Sequence, residues 1–160
     1  APEYCFIKLS KAMKNLDYTT GDLISPWADV KMDVHAIPFE ENSFDVVICN
    51  HVLEHVDDSE KVMTELYRVM KVGGWGIFQV PIDTNSPNTK EDKSIINPKE
   101  RERLYWQDDH LRLFGLDYGK KLASAGFKVT ESNFINELDS KLVERYALPK
   151  GEIIYFCEKK

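Results

Sequence analysis

The chain has 160 residues, of which 42% are hydrophobic and 30% charged, the balance of one globular domain with a sizeable core. Its formal net charge of −6 argues against a nucleic-acid backbone as a main partner, because phosphate binding needs a basic surface. No apolar run approaches the ~20 residues that span a bilayer, and Cys5, Cys49 and Cys157 lie far apart with no CxxC pair, which indicates neither a disulfide framework nor a cysteine zinc site and fits a reducing cytoplasm.

The opening "APEYCFIKLSKAMK" reads as an amphipathic helix and not as a secretory leader, since Phe6, Ile7, Leu9 and Met13 recur at roughly helical spacing. The basic clusters Lys8/Lys11/Lys14 and Lys99/Arg101/Arg103 read as solvated helix faces. Residues 16–22 and 28–33 are short β-prone runs, ending at Asp22 and Asp33. Asn42-Ser43 signals a turn before "FDVVIC" (44–49), whose nearly continuous apolar character predicts a parallel strand buried on both faces.

A helix is expected over 58–71, capped by Asp57 or Asp58, with Val62, Met63, Leu66, Tyr67 and Met70 as its apolar stripe and Gly73-Gly74 as its end. "WGIFQV" (75–80) is the next buried strand, stopped by Pro81. The polar, Pro-containing segment 83–110 holds a helix from Asn97-Pro98 to Trp106. A helix in "LDYGKKLASAGF" stops at Gly126, a strand follows at 127–132, a helix at 137–148 and a final strand at 152–159. Strands alternating with helices predict an α/β fold with a mostly parallel sheet, helices on both faces and an antiparallel last strand, in a single domain over 1–160.

In an open α/β sheet, ligands bind outside the carboxyl ends of the strands. Here those ends carry Asp22, Asp33 and the pair Asn50-His51. One carboxylate can accept from both hydroxyls of a ribose, and another from an exocyclic adenine amine while a neighbouring backbone N–H donates to the ring. The residues therefore point to an adenosine-type ligand; the competing reading is that Asp22 and Asp33 are caps or turn residues.

The run "MDVHAIPFEENSFDVVICNHVLEHVDD", followed by "ELYRVMKVGGWGIFQVP", resembles the second half of a class I S-adenosylmethionine-dependent methyltransferase of the type 11 branch, and "HLRLFGLDYGKKLASAGFKV" resembles that family's approach to its sixth strand. The resemblance implies a Rossmann-like fold, S-adenosylmethionine as cofactor and methyl transfer to a small-molecule acceptor. It implies that Asp22 takes the ribose and Asp33 the adenine amine, with Val34 or His35 offering the backbone N–H, and that Asn50 and His51 line the cleft. The family's Gly-rich first loop would fall on Ala1, Pro2 and Glu3, where no G-x-G stands. From this follows the expectation that the family's first strand is missing, and that 83–110 is an insertion forming a mobile lid over the cleft mouth. The missing loop also keeps open a catalytically inactive binding module of the same fold.

One motif points elsewhere. His51-Val52-Leu53-Glu54-His55 matches H-x-x-E-H, the inverted zinc-protease signature. A zinc helix needs both histidines on one helical face and a third ligand downstream. His51 follows a strand directly and the helix signal begins only at Asp57 or Asp58, so no metal is expected and a zinc hydrolase is the minor alternative. Methyl transfer needs alignment of the reactants more than acid–base chemistry, and a base only where the acceptor must lose a proton. His110 is the candidate for that role, with Tyr105 and Asp109 beside it, since imidazole suits proton transfer near neutral pH; the competing reading of His110 is a surface histidine at a helix start. Trp106 and Tyr105 could shape an acceptor pocket or anchor the insertion.

Overall fold

The computed structural model describes residues 4–160, with side chains from Phe6 onward. Ala1, Pro2 and Glu3, the positions aligned with a cofactor loop, lie outside the described residues. In chain order the elements are α1 (Tyr4–Ala12), β1 (Gly21–Asp22), β2 (Val30–Lys31), β3 (Phe44–Ile48), α2 (Ser59–Val69), β4 (Met70–Ile77), β5 (Lys90–Glu91), α3 (Pro98–Tyr105), β6 (Arg112–Leu113), α4 (Tyr118–Ser124), β7 (Lys128–Ser132), a 3-10 turn (Phe134–Glu137), α5 (Ser140–Arg145) and β8 (Ile154–Glu158).

The main sheet has the order β3-β4-β8-β7. β3 and β4 are parallel, while β8 runs antiparallel to both β4 and β7, so the last strand is reversed as expected. β1 and β2 form a separate parallel pair, and β5 and β6 a separate antiparallel pair.

The core lies where α2 and α4 meet one face of this sheet. Val62, Met63 and Leu66 of α2 and Tyr118 and Leu122 of α4 form one cluster with Cys49, Phe78, Tyr155 and Cys157. Tyr118 sits edge-on to Tyr155 at 4.7 Å between centroids, and its hydroxyl donates to the Phe78 carbonyl at 3.0 Å. That one bond lets a tyrosine occupy a fully buried position without an orphaned hydroxyl.

Asp58 caps α2, its side chain accepting the Lys61 N–H at 2.9 Å, and Asn97 caps α3 in the same way through Lys99 N–H. α2 ends at Val69 and not at 71, because Met70 is already extended (ψ 138) and opens β4. Gly73-Gly74 therefore lie inside β4, where the β3–β4 register shifts between Phe44 and Val46. Gly73 takes φ 80, which an L side chain rarely adopts.

A second correction concerns β3. Val46 and Ile48 are exposed, as is Trp75 of β4, which stacks on Phe156 at 5.5 Å. Val47 and Cys49 pack into the core, as does Phe44 ahead of the register shift. β3 is an edge strand of the described sheet, and among the described residues no helix hides these side chains. An apolar run signals a strand, but says nothing of how many layers cover it.

The segment 83–110 is tied at its base. Lys90 pairs with Asp83 at 2.7 Å, Thr89 Oγ1 donates to Asp117 at 2.8 Å, and the buried Tyr105 hydroxyl accepts the Asp92 N–H at 2.9 Å. Beyond these ties most of the segment is exposed, from Thr84 and Asn85 through the turn before α3 to Trp106–Asp109.

Candidate functional site

The rim is built by the ends of β1, β2 and β3. Asp22 closes β1, and its Oδ1 accepts the N–H groups of Ile24 at 2.9 Å and Ser25 at 2.7 Å. Partial burial works against its ionisation, but these two donors outweigh it and its pKa is lowered. Asp29 fastens the same region from the other side: it accepts from Lys11 Nζ and from both the N–H and hydroxyl of Thr20. These donors, Lys11 first, hold its carboxyl at about 2.

Asp33 follows β2. Its Oδ1 accepts the His35 N–H at 2.8 Å and His35 Nδ1 at 2.7 Å, and this donation lowers its pKa. Of the two backbone donors considered from the sequence, His35 N–H is thus spent on Asp33, and Val34 N–H is the one left open. The His35 ring continues outward, with Nε2 accepting the Asp58 N–H at 3.3 Å, so this histidine pins the rim to the cap of α2. The next residues are held more firmly. Ile37 N–H donates to Glu65 at 2.9 Å, and Arg68 donates to the Ile37 and Phe39 carbonyls, each at 2.8 Å. Arg68 also bonds Glu65 at 2.7 Å, which lowers the Glu65 pKa.

At the end of β3, Asn50 Oδ1 accepts Gln79 N–H at 3.3 Å, and His51 N–H donates to the Gln79 carbonyl at 2.8 Å. His51 takes φ 54, and its side chain is 59% exposed. This left-handed turn directs its ring to the rim. Its Nδ1 lies 3.3 Å from Glu54 Oε1. The helix begins only at Ser59, so His51 and His55 do not share a helical face, in keeping with the sequence reading.

Glu54 is buried behind His51. Arg112, also buried, does not pair with it: the guanidinium donates to the carbonyls of Leu53, Val56 and Asp57 and to both oxygens of Glu91. His110, the candidate proton carrier, is not the surface histidine of the competing reading. It is 4% exposed, its Nδ1 is 2.7 Å from the Tyr105 carbonyl, and its ring sits edge-on to His55 at 4.7 Å. The exposed Asp109 faces His55 Nδ1 at 3.3 Å. An acceptor at the surface would meet Asp109, His55 and His51 before it met His110. Arg112, Gln79 and the Glu65–Arg68 pair escaped the sequence reading. Each acts through backbone carbonyls or amides of distant segments, a partnership that leaves no local pattern.

Comparison with known proteins follows the same outline. Residues 5–78 match the family described as "Methyltransferase domain", the type 11 group. The chain is 38% identical over 66 residues to the ubiquinone/menaquinone biosynthesis C-methyltransferase UbiE of Desulfotalea psychrophila; the match covers 41% of this chain and 24% of that protein. The chain thus spans about a quarter of the length of this relative. Among solved structures, it is similar to the 1,6-didemethyltoxoflavin-N1-methyltransferase of Burkholderia thailandensis, solved with 1,6-didemethyltoxoflavin and S-adenosylhomocysteine (TM-score 0.61, 14% identity, 98% of this chain and 64% of that one). A candidate methyltransferase of Bacillus halodurans is similar over 92% of this chain and 83% of its own (TM-score 0.53, 19% identity). At these identities the structural likeness speaks for the fold alone.

Proposed function

We propose, from the match of residues 5–78 to the type 11 methyltransferase domain, that the chain belongs to the class I S-adenosylmethionine-dependent methyltransferases, binds S-adenosylmethionine and carries out methyl transfer to a small-molecule acceptor. The observation that carries this reading is the pair at the end of β2. Asp33 Oδ1 is engaged by His35 and Oδ2 has no described hydrogen bond, while Val34 N–H stands beside it as a donor. An acceptor next to a backbone donor is the complement of an adenine edge. The residues present therefore fit the nucleoside part of the cofactor, with Asp22 toward the ribose and Asn50 and His51 lining the cleft.

When bound, the cofactor supplies a sulfonium-activated methyl group. The chain's own part is positioning. The Glu65–Arg68 pair fixes the loop after Asp33, and Gln79 fixes the turn at Asn50-His51. Where an acceptor must lose a proton, His51 is the rim group suited to take it, with the buried Glu54 holding its Nδ1 side and leaving Nε2 outward. The segment 83–110 is proposed as the element that covers the cleft mouth. The buried free thiols of Cys49 and Cys157 suit a reducing cytoplasm, and no helix among the described residues is long and apolar enough to cross a membrane.

The test is calorimetry with S-adenosylhomocysteine, followed by turnover of labelled S-adenosylmethionine against a panel of small acceptors. Hydrogen bonds to charged groups contribute about 1.5–3 kcal/mol, so Asp22→Ala should weaken binding about tenfold to a hundredfold. Asp33→Ala should weaken it less, because Val34 N–H remains. Unchanged affinity in both variants would overturn the assignment; binding without turnover of any acceptor would leave a binding module.

A further inference from the structure

The turn after β3 and the approach to β6 bring three metal-ligating side chains together. One donor atom from each of Glu54, His55 and His110 lies within 4.8 Å of the others. Glu54 is 1% exposed, and its Oε2, though buried, has no hydrogen-bond partner. A buried carboxylate in this state needs a cation. The nearby guanidinium of Arg112 is committed to Glu91 and to three carbonyls, and the exposed His51 ring meets only Oε1, at 3.3 Å, so neither of them reaches Oε2.

The two imidazoles are oriented from outside. His110 Nδ1 lies against a carbonyl oxygen, which can only accept, so Nδ1 carries the hydrogen and Nε2 the lone pair. His55 Nδ1 faces the Asp109 carboxylate, and its Nε2 is 4.0 Å from Glu54 Oε1. That separation is too long for a hydrogen bond. Histidines that ligate metals characteristically donate their far N–H to a carbonyl or carboxylate in this manner.

We propose that Glu54, His55 and His110 form a binding site for one divalent transition-metal ion of the zinc or iron(II) class. Two imidazoles and one carboxylate are a donor set for such ions, with positions left open for water. Metal–ligand distances of about 2.0–2.2 Å place neighbouring donors roughly 3–3.5 Å apart, so donors up to 4.8 Å apart must close by up to roughly 1.3–1.8 Å. His55, whose side chain is 31% exposed, has room to make that move. The ion would join the turn 51–57 to the segment before β6, which already meet where Leu111 N–H donates to the Glu54 carbonyl at 2.8 Å. The sequence-based expectation of a metal-free chain rested on spacing along the chain, where His110 is too remote to count. The proposal does not depend on methyl transfer, since metal binding is read without cofactor or acceptor.

The experiment uses the tag-free chain, stripped with chelator and titrated with cobalt(II) while visible d–d absorption is followed, then back-titrated with zinc. Saturation at one cobalt per chain, displacement by one zinc, and a higher melting temperature with zinc are expected. His55→Ala, at a half-exposed position, should abolish the band. Asp109→Ala should weaken cobalt binding about 10–100-fold, as loss of an outer orienting group does, and His35→Ala should leave it intact. Circular dichroism of each variant without metal confirms folding. No d–d band in the parent chain, an undiminished band in folded His55→Ala, or equal loss in His35→Ala would each overturn the site.

Discussion

Asp29 shows how a single side chain can set the acid limit of a region. Its carboxyl is held at about 2, below the ordinary 3.8, by Lys11 and by Thr20. A depressed folded-state pKa means that the contribution is complete above the unfolded value and is lost as pH falls toward the folded one. Melting temperatures of the parent chain and Asp29→Asn should therefore differ at about pH 5 and converge by about pH 2; a gap that persists at the acid end would show that charge is not what Asp29 contributes. Arg112 is the opposite kind of residue, buried and bonded to three carbonyls and Glu91. Arg112→Met leaves these groups unpaired, and breaking a buried pair costs about 3–5 kcal/mol, readable as a lower urea midpoint. Arg112→Lys should recover part of it, and no recovery would make packing the larger effect. At this scale the sequence was legible where a residue acts on its neighbours, as Asp58 and Asn97 do in capping. It was not legible for Arg112 or Glu54, whose partners lie far away in sequence.

At the scale of elements, periodicity located nearly every helix and strand, because a helix stripe or an apolar strand is a local pattern. It failed where pairing decides. β5 and β6 are two residues each and exist only because they face one another. β3 reads as doubly buried yet has one open face. The segment 83–110 tests this distinction. Its base is fixed by Asp83–Lys90, Thr89–Asp117 and Tyr105, while Lys93, Lys99 and Arg103 are exposed. Trypsin should cut there before it cuts α2, and S-adenosylhomocysteine should slow the cutting if this element covers the cleft. Cleavage that begins in α2 would mean that the core, not the segment 83–110, opens first. The thiols of β8 and of the β3 end give a second reading of the core. Burial raises both Cys49 and Cys157 to about 12, so they stay protonated and should resist a thiol reagent until the chain unfolds. Fast native labelling of either would show that the sheet face under α2 and α4 is accessible.

Across the whole molecule, stability is unevenly spread, and the proposed cofactor rim lies at the weaker end. The α2–α4–sheet cluster holds side chains that are wholly buried, among them Val62, Met63, Phe78, Tyr118 and Cys157. β1 and β2 are joined by two register pairs, and most residues between 16 and 31 are exposed or half-buried. Such regions open locally at a fraction of the global unfolding free energy. A ligand stabilises only the states that bind it, so it acts on whichever opening destroys its site. Amides of residues 20–36 should therefore gain protection from hydrogen exchange when S-adenosylhomocysteine binds. Those of 62–69 and 155–157 should change little under conditions where they too exchange by local opening. The Glu65–Arg68 pair ties the two regions together, through the Ile37 amide and the Ile37 and Phe39 carbonyls, alongside the His35 contact with the cap of α2. Arg68→Met should thus leave the core amides protected, speed exchange at 33–39, and raise the ligand's dissociation constant although Arg68 lies outside the rim. Equal slowing of rim and core amides by ligand would show that the chain opens as one cooperative unit. An Arg68→Met variant with parent-like affinity would show that the loop after Asp33 holds its shape without α2.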